Sequence, residues 1–158
     1  MQAGDLIFFP SRGRWYERII AQVTHGRYVH VAVAVDAEHV IAAETWGITH
    51  QLLPPEPVAL TVFPLTPASK EAASAGLGWL QRQVGRSYGW MDILDQLLRL
   101  LGIPLYIGLT HSLDCSDLAA CFAALYTNDR TLMAAVLDHR QEIAPNDLAR
   151  YYHLPVEE

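Results

Sequence analysis

The tripeptide Asp114-Cys115-Ser116 runs straight into Asp117-Leu-Ala-Ala-Cys-Phe-Ala-Ala-Leu, which places a cysteine at the first turn of a helix. Asp114 is a residue type that caps helix N-termini, and Asp117, three positions later, fits a loose capping box. The positive end of the helix macrodipole favours a thiolate there, and the thiolate is the form that attacks carbonyl carbon. Cys115 is therefore the candidate nucleophile, with a buried, inert cysteine as the alternative. Cys121 is read in that second way: it lies six residues along the same helix, among Ala and Phe, on a different face. Six helical residues separate the two Cα atoms by about 9 Å along the axis, beyond the roughly 7 Å a disulfide can bridge. Two cysteines without framework spacing suit a reducing compartment, or a delivered enzyme that does not depend on disulfides.

A thiol nucleophile needs a base, and the chain has seven histidines. His30 stands out because it opens the most regular strand, Val29-His-Val-Ala-Val-Ala-Val35. With period two, the valines share one face and His30, Ala32 and Ala34 the other. The valine face is expected to be sheet core. The alanine face is flat enough for a helix to pack close, with the histidine at its end.

The next run, His39-Val-Ile-Ala-Ala-Glu44, should return as a hairpin, and its register can be argued from charge. A two-residue loop at Ala37-Glu38 would bury Glu44 among valines, at a cost of several kcal/mol for an unpaired carboxylate. A three-residue loop, Asp36 to Glu38, pairs Val35 with His39 and sets His30 opposite Glu44. The second register is expected. Glu44 would then hydrogen-bond one ring nitrogen of His30, fixing its tautomer and stabilising the imidazolium. A strand-end glutamate facing water is the alternative, with His50 or Thr45 as other orienting groups. Trp46, Asp114 and Ser116, adjoining these positions, are the candidate substrate contacts.

Gly85-Arg-Ser-Tyr88-Gly-Trp90, followed by Leu113-Asp-Cys-Ser-Asp-Leu118, resembles the motif pair around the nucleophile of NlpC-type, papain-like thiol peptidases. In those enzymes the histidine strand follows the cysteine. Here the order is His30, Glu44, Cys115, which is similar to the circularly permuted, YiiX-like branch. The opening Gly4-Asp-Leu-Ile-Phe-Phe9, the His-Val-Ala-Val-Ala-Val hairpin and the late Ala144-Pro-Asn-Asp-Leu148 resemble that branch too, so the likeness spans nearly the whole chain. It implies that Cys115 is the nucleophile, His30 the general base and Glu44 the orienting group. It further implies that the Tyr88 hydroxyl joins the Cys115 backbone N–H in stabilising an oxyanion, although a core tyrosine would look the same. Two features depart from the family pattern. The spacer from Tyr88 to Cys115 is much longer than in unpermuted relatives, and Ala42 stands where a polar third member is expected, with Glu44 two residues on along the same face.

That spacer, Met91 to Pro104, reads as an amphipathic helix with Met91, Leu94, Leu98 and Leu101 in one stripe. Such a stripe is ordinarily core. A substrate wall or lid is the second reading, and a membrane-surface helix the third, weakened by a polar face without clustered Lys and Arg. Asp92, Asp95 and Arg99 prevent it from spanning a bilayer.

The elements that must position these residues fit one domain over residues 1–158. Half the residues are apolar, enough for a full core, and no linker or low-complexity tract divides the chain. Further elements are expected as a helix over 15–24, strands over 48–53 and 58–63, and helices over 70–83 and 129–139, with the Pro-rich 53–57 as a loop. The expected class is α+β, a permuted papain-like (NlpC-type) domain in which the nucleophile helix packs on an antiparallel sheet. A net charge of -6 without an offsetting basic stripe argues against nucleic acid as the main partner. The N-terminus carries neither a basic n-region nor an apolar h-region, which points to a cytoplasmic protein, or to one brought to the cell wall by phage or by a secretion machine.

The leading functional expectation is a cysteine hydrolase acting on a peptide or amide bond, in a cell-wall stem peptide by family analogy, with no cofactor. Acyl transfer or lipid-ester cleavage through the same thioester is an alternative of related chemistry. A binding module that keeps the cleft without turnover is an alternative of another class. A zinc site from His111, Cys115 and His30 is the least supported arrangement.

Overall fold

Apolar side chains repeating at every second residue need a second layer on each buried face, and the chain folds around one sheet that meets this need. The computed structural model describes residues 1–44, 46–53, 59–86, 114–138 and 143–157. Among them, β1 (Leu6–Pro10), β2 (Tyr28–Ala34), β3 (His39–Glu44), β4 (Gly47–Leu52) and β5 (Thr61–Phe63) form one antiparallel sheet in the spatial order β4-β3-β2-β1-β5. The described helices are α1 (Trp15–Val23), α2 (Lys70–Gln83), α3 (Cys115–Thr127), α4 (Arg130–Leu137) and α5 (Pro145–Tyr151). The architecture is α+β. No helix among the described residues is long and apolar enough to cross a membrane.

Local signals placed the helix starts. Ser69 caps α2 by accepting from the Ala72 N–H, and Asp129 caps α4 by accepting from the Thr131 and Leu132 N–H groups. The helix expected over 129–139 therefore begins one residue later than its cap. The strand expected over 58–63 is confined to Thr61–Phe63. Residues 54–58, and the spacer helix expected over 91–104, lie outside the described residues.

The β2–β3 hairpin adopts the register argued from charge, with Val33 opposite Ile41 and Ala34 opposite Val40. The Val35 N–H donates to the His39 carbonyl at 2.9 Å. The Asp36 carboxylate holds the three-residue loop by accepting from the Glu38 and His39 N–H groups, each at 2.8 Å.

One expectation about packing is overturned. Among the described residues, α2, α3, α4 and α5 contribute to the core on the valine face of the sheet, and none of them to the cluster on the alanine face. Val31, Val33, Ile41 and Ala43 share a core with Leu118, Ala119, Phe122 and Ala123 of α3, whereas Ala32, Ala34 and Ala42 cluster with Ile7, Phe9 and Val40 on the opposite face. Close approach is supplied by the small residues of the helix itself: Ala119, Ala120, Ala123 and Ala124 are all buried. The larger apolar area then sits on the strands, where its burial contributes most. Helix α3 is consequently buried on nearly every side, and it ends at Asn128 in the left-handed conformation that Asn tolerates.

The start of β2 is held from outside the sheet. Asn146, fully buried at the first turn of α5, accepts from the Tyr28 N–H at 3.0 Å and donates to the Tyr28 carbonyl at 2.9 Å. Its amide also reaches the Thr24 hydroxyl. A Cβ at Gly26 would fall 2.5 Å from the Asn146 side-chain oxygen, so glycine is required there. Asn146 thus stands in for a neighbouring strand two residues before His30. Asn146→Leu strands both Tyr28 backbone groups and is expected to lower stability by about 3 kcal/mol, read as a fall in the urea midpoint at constant m-value.

Candidate active site

Helix α3 begins at Cys115, with Asp114 as its N-cap: one carboxylate oxygen accepts from the Ser116 N–H at 2.8 Å and the Asp117 N–H at 2.7 Å. This is the start expected from the sequence. Its electrostatic consequence is the opposite of the one expected. Burial pushes the Cys115 thiol up to about 12, and the Asp114 carboxylate adds to the rise. The Val31 N–H and the Ser116 hydroxyl pull the other way, and Asp117 adds a smaller upward push. The helix terminus does not stabilise a thiolate because its N–H groups are spent on a carboxylate whose own charge opposes one. Cys115 rests as a neutral thiol. Cys121, half-buried, is also pushed up to about 12, by burial and then by Asp117 and Asp114.

Strands β2 and β3 create the opening that the thiol meets. Their ladder is confined to the pairs Val33–Ile41 and Ala34–Val40, and towards His30 and Glu44 the pairing ceases. The Ala34 N–H bonds Asp5 of the chain leading into β1, and the Val35 N–H bonds His39 at the start of β3. By alternation the Val31 N–H also points to the β3 side. It is this N–H that acts on the Cys115 sulfur. The candidate nucleophile therefore touches β2 one residue from His30, where the two strands part.

His30 and Glu44 come together across that gap, Nε2 to Oε1 at 3.6 Å, with each side chain about one quarter exposed. The imidazole leans on Phe9, ring centroids 5.3 Å apart, and its Nε2 is buried without a hydrogen-bond partner among the described residues. Burial lowers the His30 pKa below its ordinary 6.5, and the Glu44 carboxylate opposes the shift. The candidate base is thus neutral imidazole at neutral pH. Among the described residues no hydrogen bond joins His30 to Cys115: the imidazole lies with Phe9 on the alanine face, whereas Cys115 packs against the valine-face core, so the helix that was expected on the histidine's face leaves the two side chains on opposite faces of β2.

A third polar group went unnoticed in the sequence. Gln51 Nε2 donates to Glu44 Oε1 at 2.9 Å, the same oxygen that approaches His30. The β3–β4 register pairs Val40 with Gln51 and Ala42 with Thr49, so Gly47, Thr49 and Gln51 share the face of Glu44. The two residues that separate Glu44 from Gly47 in the sequence were the available signal for that register. The Thr49 hydroxyl on this face is buried and has no hydrogen-bond partner among the described residues.

The remaining candidates are placed unevenly. Trp46 is 73% exposed at the β3–β4 turn, whereas Ser116 is 1% exposed, with its hydroxyl 3.8 Å from the Cys115 sulfur. Asp114 is half-buried and occupied by its capping bonds. Tyr88 and His111 lie outside the described residues. The start of the Gly85–Tyr88 motif is described: the Ile48 N–H donates to the Arg86 carbonyl and the Gly85 N–H to the Ile48 carbonyl. The motif thereby enters beside the turn that follows Glu44. Among the described residues no group of three or more His, Cys, Asp or Glu is arranged to hold a metal ion.

Glu44 is the influence that raises His30, so removing its charge has a definite sign. If Glu44 orients a catalytic His30, Glu44→Gln is expected to move the acid limb of the pH–rate profile to lower pH and to slow turnover on the order of 10²-fold. Stability follows the same proton. Between pH 6.5 and the lower folded value, the unfolded chain binds a proton on His30 that the native state refuses. Stability therefore falls as the pH drops through that window, and urea titrations of wild type and His30→Gln will show whether the slope belongs to His30. Compared with protein-family models, with curated proteins and with solved structures, the chain matches none.

Proposed function

We propose that the chain is a cysteine hydrolase that cleaves a peptide or amide bond through an acyl-enzyme on Cys115. One observation carries the reading: a helix-tip thiol meets the edge of β2 where the strand separates from β3, with an imidazole one residue along and a carboxylate across the gap. The resting groups are neutral, so the thiol is activated during attack and not beforehand. As Cys115 Sγ bonds to the carbonyl carbon, its proton passes to His30, which must come round the open edge of β2 from the opposite face to reach the sulfur. The C–N bond then breaks, and His30 returns the proton to the leaving amine. Water attacks the thioester, His30 again takes a proton, and the acid is released as the thiol reforms. Glu44, held by Gln51, keeps the imidazole oriented and offsets its transient charge. A peptide, with cell-wall stem peptides as the class suggested by family resemblance, is the proposed substrate.

The raised thiol and the unengaged Cys–His pair favour a second reading, a binding module without turnover. N-acyl-peptide p-nitroanilides separate the two. Release of nitroaniline, with an acyl adduct on the Cys115 peptide after acid quench, supports the hydrolase. Turnover that survives in Cys115→Ala refutes it, and binding without adduct or release supports the module.

A further inference from the structure

We propose that α1 docks this protein on the surface of an anionic lipid bilayer. Trp15 is 75% exposed, and Ile19 and Ile20, about one turn on, are 38% and 37% exposed. Trp15, Arg18 and Ile19 stand at i, i+3 and i+4, so they share one stripe of the helix. Arg12, Arg14 and Arg18 are all exposed. The acidic residue of this segment, Glu17, is 7% exposed and turned inward, its carboxylate accepting from the Arg12 and Arg14 N–H groups. Four of the eleven basic residues, Arg12, Arg14, Arg18 and Arg27, fall within this short stretch of a chain whose net charge is -6. The local field is therefore opposite in sign to that of the whole molecule.

Large apolar side chains beside outward arginines match the boundary between acyl chains and anionic headgroups. Nucleic acid would satisfy the arginines and could stack on Trp15, but it offers nothing to Ile19 and Ile20, whereas the acyl boundary accepts all three. The helix also has a position that gives docking a use. It follows β1 by four residues, and the Ser11 N–H bonds the Arg27 carbonyl at 2.9 Å, which ties the loop before α1 to the start of β2. That is the end of the sheet holding His30 and Glu44. The exposed Trp46 stands at the same end, on the other side of β2. Docking would turn this end toward the lipid, and, resting on the hydrolase reading, the scissile amide or ester would then belong to a membrane-borne molecule.

The test is co-sedimentation and tryptophan emission with vesicles of phosphatidylcholine, alone or with phosphatidylglycerol. The wild type is expected to bind the anionic vesicles with a blue-shifted emission, to lose binding as salt rises, and to ignore phosphatidylcholine alone. Arg18→Glu combined with Trp15→Ala should weaken partitioning at least about tenfold with an unchanged far-UV spectrum. No binding to anionic vesicles overturns the proposal, as does undiminished binding by the folded double variant, or binding to RNA without binding to vesicles. If the double variant fails to fold, quenching of wild-type emission by brominated lipid decides, and absence of quenching overturns the proposal. Cys115→Ala should bind as wild type does, so this result stands or falls apart from the hydrolase reading.

Discussion

Cys115→Ala is expected to remove turnover of any amide the wild type cleaves, a loss of about 10⁴-fold or more, as for other nucleophiles that act through a covalent intermediate. The fold should survive. Cys115 is half-buried, alanine is the best helix former, and the bonds that start α3 run from the Ser116 and Asp117 N–H groups to Asp114, none of them through the thiol. Thermal unfolding of the variant should therefore lie within a few degrees of wild type. His30→Ala should cost nearly as much, and the double variant little more than either, because the two groups act in one step. Cys121→Ala should leave the rate unchanged. Measuring all four on one p-nitroanilide checks the pattern, and a Cys115→Ala variant that still turns over would end the mechanism.

Alkylation of Cys115 by iodoacetamide at neutral pH is expected to be about a thousandfold slower than that of an unperturbed thiol. The thiolate is the species that reacts, and lifting the thiol from 9.0 to about 12 lowers its population near pH 7 by about three powers of ten. The rate should climb about tenfold for each pH unit with no plateau below about pH 11. Asp114→Asn keeps a capping side chain while removing the charge that adds most to burial in raising the thiol. That variant should alkylate faster than wild type at every neutral pH. Site-resolved mass spectrometry distinguishes Cys115 from Cys121. Fast modification of Cys115 below pH 8 that disappears in His30→Ala would instead mean that a thiolate–imidazolium pair exists at rest.

The contrast between these two residues shows where sequence reasoning reaches. The start of α3 at Asp114-Cys115, the span of α2 and the β2–β3 register were legible from local chemistry. A capping carboxylate, a period of 3.6 or 2, and the cost of burying Glu44 each act within a few residues, so the sequence already contains every partner. The fold class followed from the same elements. The state of the thiol did not follow, because it sums the burial of Cys115, two carboxylates, the Ser116 hydroxyl and one strand N–H, and the burial and the strand N–H come from segments distant in the chain.

Three further features emerged with the tertiary structure. Valines and alanines alternate along β2, and nothing local states which face a helix will choose. The answer came from α3, whose own alanines permit close approach while the strand valines supply area. Gln51 entered the site through the β3–β4 register, and Asn146 reached Tyr28 across 118 positions of chain. By itself the sequence determined which local element holds Cys115, His30 and Glu44. The tertiary structure decided which of them meet and how charged they are at rest, because burial and long-range hydrogen bonds exist only once distant segments are packed together.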